Sequence, residues 1–521
     1  MTEYIFPVKI AHEEIAKGIF AGEGTATDSA SIKEIIKGSV SEVEKRETAG
    51  ADLKNDGKTV GAGLESGRKF SALSTLLRKK TLQIGLNEED TAELSAGDAF
   101  VLDFGKEMNG GARILTFTAE NASARLRFGE SLTEACTPLG EKGACNDHAP
   151  RDFTLPLPAY SDVSAGNTGF RFLRVEILTG SLKIKSVVAV NHILKKKARY
   201  VYGGADPLLK QIYTAAKRTV DLCAAGDFVW DGVKRDRLVW VGDLHPEMLA
   251  LTTLYGRMKS IERSLDFAKF QAPLPLFMNG YPAYSLWWAV IVADYCFETG
   301  AFDFAEKQAD YLTGLLQILT DSTDEKGELS LPFYFLDWQT EGRPEAKEGV
   351  LWLALLAAKK AEKLLAALGR DAASAAKLRE KLEKRTPVKT TFKQVIALRY
   401  FATGTLDEEE KRALLYGGAA GISTFMAYYI LTAIASFAPE KATEIAKTYY
   451  GGMLSRGATT FFEDFDTRWL NVSGRIDAFP CAGEKDLHGD FGAFCYKGFR
   501  HSLCHGWAAG VLRFLYEREE K

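Results

Sequence analysis

Residues 231–243 read DGVKRDRLVWVGD and place Asp231, Asp236 and Asp243 among Lys234, Arg235 and Arg237, around an apolar run that contains Trp240. Neither a helical nor a strand period accommodates six charges and a tryptophan in that order. A second acidic group, Glu463, Asp464 and Asp466, lies in GATTFFEDFDTRW at 457–469, and Asp337 lies in FLDWQTEGRPE. Carboxyl pairs whose surroundings push their proton affinities apart perform general acid and base work. Cleavage of a glycosidic bond needs one such pair, a protonated donor and a carboxylate acting on water or on the sugar. Asp236 stands between Arg235 and Arg237, whose charges favour its ionised form, so an acid role there requires burial to win. A solvated salt-bridge cluster is the plainer reading of this loop, but it would need neither Trp240 nor Gly242.

The aromatic residues point the same way. All eight tryptophans fall between residues 230 and 507, most of them in or beside long connections. Trp352, in VLWLALLAA, reads as core. Trp240, Trp338 and one of Trp287 and Trp288 are candidates to face a sugar, whose apolar face suits an aromatic ring and whose hydroxyl rim suits carboxylates. Of the seven histidines, His245, His488, His501 and His505 fall in motif-like stretches. His501 and His505 stand four apart without an HExxH pattern, so polar contact or core packing is expected rather than metal binding. No cofactor is expected.

These residues need a scaffold, and the chain divides near residue 200. Up to about 195 the text alternates apolar and polar residues with Gly and Asn punctuation, as in TGFRFLRVEILTG, which predicts an antiparallel β-sandwich. Residues 1–90 give only weak signals. A linker spans 196–206. From 207 to 521 the period is helical, with helices expected near 207–225, 243–264, 283–299, 302–321, 345–367, 370–384, 390–403, 407–416, 421–438, 440–453 and 501–517. Short turns make neighbours antiparallel, so the fold class expected is α+β, a sandwich followed by an (α/α)6 barrel of six helical hairpins. Eleven helices are one too few. They also place 227–242 at the opposite end from 333–345 and 455–500, so one assignment must be off. Three connections, 227–242, 322–345 and 455–500, are long, and long structured loops in compact folds carry function.

A net charge of −3 with both signs interspersed gives no case for nucleic acid or an anionic membrane surface. No run approaches the ~20 apolar residues that span a bilayer. The first residues, rich in Glu, do not form a signal peptide. Seven cysteines without CxxC pairs argue against a disulfide framework or structural zinc. A cytoplasmic protein with reduced thiols is expected, with a homodimer left open.

Taken together, DGVKRDRLVWVGD resembles the D-G/C-P/A-K/Q-R-D-(E)-R-L-x-W-x-G-D signature of the α-L-rhamnosidases of glycoside hydrolase family 78. FLDW at 335–338, GATTFFED at 457–464 and GFRHSLCHGWAAG at 498–510 agree in order and spacing, and VLDFGKEMNGGARI with GFRFLRVE is similar to the family's sandwich. The resemblance covers roughly 95–521. It implies an (α/α)6 catalytic barrel, inversion at the anomeric carbon and release of terminal α-L-rhamnose from small rhamnosides. By position, Asp231, Arg235, Asp243 and His505 would bind the sugar, and Trp240 and Trp338 with one of Trp287 and Trp288 would wall it, near Asp337. Glu463 would be the base. Many family members carry a glutamate acid in R-D-E-R-L-G-W; this chain reads R-D-R-L-V-W, one residue shorter, so the acid role falls to Asp236. Phe462–Glu463 replaces the family's W-E. The same barrel also hosts lyases, for which Tyr496, His501 and His505 would be drafted, and a non-catalytic sugar binder would keep the tryptophans.

Overall fold

A computed structural model describes residues 2–14, 73–87, 90–493 and 497–520. The weakly patterned stretch within 1–90 falls mostly outside the described residues, as does Tyr496.

Six strands form one antiparallel sheet: β1 (Thr2–Ile5), β2 (Lys9–Glu14), β3 (Ala92–Ser95), β4 (Ala99–Gly129), β5 (Asp152–Pro156) and β6 (Asp162–His192). β4 and β6 are 31 residues each, too long to stay flat. Their register breaks them into segments: 99–103 pairs with 172–176, 110–120 with 181–191 and 123–129 with 172–179. The sheet curls back on itself over a core of Phe100, Leu102, Phe104, Ile114, Leu126, Phe128, Phe170 and Leu173. The period-two alternation of those strands supplies this inward face. A short helix, α1 (Leu132–Cys136), and an irregular stretch to 151 connect β4 to β5.

The helices that follow are α2 (Pro207–Cys223), α3 (Leu244–Tyr255), α4 (Lys259–Gln271), α5 (Pro282–Thr299), α6 (Phe302–Glu306), α7 (Ala309–Asp321), α8 (Pro344–Ala367), α9 (Ala373–Glu383), α10 (Lys393–Thr403), α11 (Glu408–Leu415), α12 (Ala427–Ala435), α13 (Pro439–Ser455) and α14 (Val511–Glu519). Packing runs in a cycle: α3 on α5, α5 on α8, α8 on α10, α10 on α12, α12 on α14, and α14 on α3. α3 and α5 are buried along nearly their whole length, as helices apolar on all sides must be.

The expected helix over 243–264 is two helices. Gly256 sits at φ 68°, and a Cβ there would lie 2.7 Å from the Arg199 guanidinium, so the turn needs glycine. The extra helix removes the parity conflict: with alternating directions, 224–243, 322–343 and 456–510 fall at one end. The helix expected from 501 begins at Val511; 501–505 is irregular, and Gly232 and His505 form an isolated β-bridge. His501 and His505 therefore do not share a helical face.

Candidate active site

The charged loop is tied at its neck. Asp231 donates its N–H to the Leu238 carbonyl (3.1 Å) and accepts the Leu238 N–H on Oδ1 (2.9 Å). Inside that closure Asp236 and Arg237 adopt left-handed backbone, φ 52° and 55°, which costs non-glycine residues about 1–3 kcal/mol each and persists only where the surroundings enforce it. The enforcement comes from the sheet. Thr168 Oγ1 donates to the Lys234 carbonyl (2.9 Å), and Arg237 donates to Asn167 Oδ1 (2.9 Å) and to the Asn167 carbonyl. The Arg237 guanidinium also lies 4.6 Å from the centre of the Trp230 ring. Gly169 lets the two backbones approach, for a Cβ there would meet the Lys234 nitrogen at 2.7 Å. Beneath the loop, buried Lys234 pairs with Glu134 (2.9 Å) and Glu130 (3.4 Å) and donates to the His501 carbonyl (2.7 Å). Glu130, Glu134 and His488 are the one group among the described residues with metal-ligand spacing. Lys234 Nζ, 3.3 Å from His488 Nε2, supplies positive charge there.

Arg235, which the resemblance sets against the sugar, is held by protein groups: Nη1 lies 3.0 Å from Asp236 Oδ1, and Nη2 lies 2.6 and 2.7 Å from Glu463 Oε1 and Oε2. One guanidinium bridges two carboxyls that are 227 residues apart. Nε donates to the Arg500 carbonyl (2.7 Å), fixing the fork. Glu463 is held further by the Ser502 N–H on Oε2 (3.1 Å) and by its own N–H to the Ser502 carbonyl (3.0 Å). Its carbonyl accepts Trp507 Nε1 (3.0 Å) and the Thr424 hydroxyl. Trp240 Nε1 donates to Asp236 Oδ2 at 3.2 Å.

Behind this bridge, Asp231 Oδ2, Glu463 Oε1 and Asp243 Oδ2 stand 3.8, 3.8 and 3.9 Å from His505 Nε2. Burial pushes the Asp231 carboxyl well above the usual carboxylate range, and Asp236 and Asp243 add like-charge repulsion. Asp243 rises for the same first reason, opposed by the Tyr284 hydroxyl that donates to it at 3.1 Å. Burial, then Arg235, lowers His505 to about 3, so its ring is neutral. Crowded acceptors around a neutral imidazole form a receptor for hydroxyl groups rather than for an anion.

One wall is aromatic and continuous: Trp240 meets Tyr281 and Tyr284 edge-on, Tyr281 meets Phe335, and Phe335 meets Trp338 with ring centres 5.0 Å apart. Trp287 and Trp288 take no part in it. Both are 0% exposed: Trp287 stacks on His245 and Trp288 donates to the Leu265 carbonyl (3.2 Å). They are core residues of α5, correcting the expectation that one of them walls the site. Asp337 is buried, accepting from Ser423 Oγ (2.8 Å) and the Thr340 N–H (3.0 Å). It lines, with Trp338, Ser423, Thr424 and Glu463, a cavity of about 20 Å³. That is room for one water. The cavity shares Gln339, Asp464 and Ala493 with an open cleft of about 970 Å³ that runs past Trp469, Phe491 and Arg343.

Sequence reasoning missed Tyr284, Ser502, Tyr281 and Phe335. Phe335 lay in FLDW and Ser502 in GFRHSLCHGWAAG, but Tyr281 and Tyr284 carried no charge pattern to mark them. His245 and His488, both singled out, are satisfied in the interior, by Asp294 (3.1 Å) and by Ser131 (2.8 Å). His501 Nε2 accepts the Asp464 N–H (2.8 Å).

No protein-family model and no curated protein matches the chain. Solved structures do. A rhamnosidase from Klebsiella oxytoca with rhamnose bound superposes with TM-score 0.67 at 18% identity, covering 82% of this chain and 88% of that one. A GH78 family rhamnosidase of Bacillus sp. GL1 gives 0.65 at 18% identity over 86% of this chain, and an α-L-rhamnosidase from Dictyoglumus thermophilum gives 0.61 at 16% over 80%. Of those two longer proteins the chain spans about half, 48% and 49%. At these identities the likeness is one of architecture, and in architecture this chain has the fold of the GH78 α-L-rhamnosidases.

Proposed function

We propose that the protein is an inverting glycoside hydrolase that releases terminal α-L-rhamnose from small rhamnosides. The observation that carries this reading is Arg235 joining Asp236 and Glu463, two carboxyls from separate loops, beside an aromatic wall and a hydroxyl receptor. Asp236 protonates the glycosidic oxygen. Glu463 takes the proton of a water that attacks the anomeric carbon from the opposite face. The single-water cavity against Glu463 supports that assignment. Asp231, Asp243 and His505 hold the sugar hydroxyls, Trp240 and Trp338 cover its apolar face, and the open cleft receives the rest of a glycoside. No metal or cofactor takes part in these steps.

The packing cycle of α3, α5, α8, α10, α12 and α14 supports an (α/α)6 barrel, and the segment pairing of β4 and β6 supports a sandwich before it, divided at 195 and 207. Among the described residues no helix is long and apolar enough to cross a membrane; a cytoplasmic setting belongs to the proposal.

The test is chromophore release from an aryl α-L-rhamnoside by wild type and by Glu463→Ala, with the product anomer followed by NMR. Wild type should turn over with inversion, and the variant should lose about 10²–10⁴-fold in kcat. Cleavage of other aryl glycosides but not the rhamnoside would make the sugar wrong. An ultraviolet-absorbing product from a uronic-acid polysaccharide would make the protein a lyase.

A further inference from the structure

We propose that His148, carried by the sheet portion of the chain, is the proton source of the acid Asp236. The inference rests on the reading of Asp236 as general acid and names the group that recharges it.

His148 belongs to the irregular stretch between α1 and β5, and that stretch is fastened at both ends. On the sheet side, Asn146 Oδ1 accepts the N–H groups of Arg151 and Asp152, both at 3.0 Å. The buried Arg151 guanidinium donates to the carbonyls of Phe128 and Glu134 (3.1 Å each) and of Thr137 (3.2 Å). On the helical side, the Phe499 N–H donates to the Lys142 carbonyl (2.8 Å), Lys142 pairs with Asp490 (2.6 Å) and Arg500 pairs with Asp147 (3.1 Å). The loop is thus set against the residues that shape the Arg235 and Glu463 pocket.

From there His148 Nδ1 reaches Asp236 Oδ1 at 3.1 Å. Its backbone is left-handed, φ 65°, a conformation uncommon outside glycine that histidine adopts more readily than most residues. The imidazole is 34% exposed and the Asp236 side chain 7%. One edge of the ring therefore meets water and the other meets a carboxyl closed off from water. The ring meets Asp236, which Arg235 pairs from behind, and the preceding residue, Asp147, pairs with Arg500. Asp236 accepts from Arg235 and Trp240. Donors of this kind favour the carboxylate form, so return of a proton calls for a donor within reach, and imidazole is the side chain that gives and takes protons near neutrality.

The steps balance. Asp236 gives its proton to the glycosidic oxygen as the C–O bond breaks, and water attacks the anomeric carbon while its proton passes to Glu463. The Asp236 carboxylate takes the Nδ1 proton of the His148 imidazolium. His148 then takes a proton from solvent and Glu463 returns one to it, so only water is consumed. His148 acts through Asp236 and is a positioning residue.

The experiment compares wild type, His148→Ala, His148→Gln and Asp236→Ala on aryl α-L-rhamnosides of graded leaving-group pKa. Recharging follows departure of the aglycone, so it limits turnover most where bond cleavage is fastest, on the most activated leaving group. His148→Ala should lose about 10- to 100-fold in kcat on the most activated and about threefold or less on the poorest, with the basic limb of the pH profile moved and activity recovered by added imidazole. His148→Gln, which can hydrogen-bond but not titrate, should behave like the alanine variant. A uniform loss across the series, no loss, or full activity in His148→Gln overturns the inference, provided that Asp236→Ala loses most on the poorest leaving group. Wild type that cleaves no rhamnoside in the series overturns the functional reading, and the inference with it. Unfolding curves for each variant separate either result from loss of fold.

Discussion

Arg235 Nη2 lies 2.6 Å from Glu463 Oε1, and both side chains are almost wholly buried, at 4% and 2% exposure. A buried carboxylate that loses its cation costs about 3–5 kcal/mol. Arg235→Met should therefore destabilise the protein by that order, and Arg235→Met/Glu463→Gln should recover much of it while remaining inactive. Denaturant unfolding of the four proteins in this cycle is the check. Strictly additive losses would mean that the pair contributes no coupling.

Asp231 and Asp243 make stability depend on pH in an unusual direction. Both carboxyls are held well above the usual range, first by burial, so the folded state binds their protons more tightly than an unfolded chain, where Asp titrates near ~3.9. Their contribution is present in full below that value and is lost as pH climbs toward the raised folded values. Asp231→Asn/Asp243→Asn should gain stability over wild type progressively from about pH 4 toward neutrality. A constant Tm difference across that range would contradict the assignment.

Trp240 both donates to Asp236 and contributes a ring to the aromatic wall. Trp240→Phe separates the two, keeping a ring while deleting the N–H. A hydrogen bond to the neutral acid is worth about 0.5–1.5 kcal/mol, so kcat should fall by about 3- to 10-fold with KM changed by about twofold or less. If KM rises and kcat holds, the indole N–H is not what positions the acid.

Gly169 reports on the sheet's role. Its missing Cβ admits the Lys234 backbone, and Gly169→Val should displace the loop, lowering stability by about 1–3 kcal/mol and activity by more than stability alone explains. An active variant of normal Tm would show that the sheet packs beside the loop without shaping it.

The charged loop around Trp240 and the acidic group at 463–466 stood out because each sits at close spacing in its own continuous stretch, 231–243 and 457–469. The passage from strands to helices, observed between His192 and Pro207, was legible from the change of period near 200. The helix break at Gly256 carried its own mark, a glycine where a helix would end, but the apolar run on either side masked it. Trp287 and Trp288 misled because adjacent tryptophans on a helix that is apolar all round are both interior, and no stripe distinguishes a site-facing ring. Arg235 could not be assigned a partner from sequence, since its carboxyl lies 228 positions on. His148 was invisible for the same reason, reaching across 88 positions from a loop with no recognisable pattern.

The split at Gly256 also divides the helical portion into a working rim and an idle one. The connections at 256–258, 300–301, 368–372, 404–407 and 436–438 all fall at the end opposite the charged loop. They are short turns that touch none of the residues assigned to chemistry. Insertions, surface anchors or circularly permuted termini placed there would leave the acid, the base and the aromatic wall undisturbed, so immobilisation through that rim would present the cleft outward.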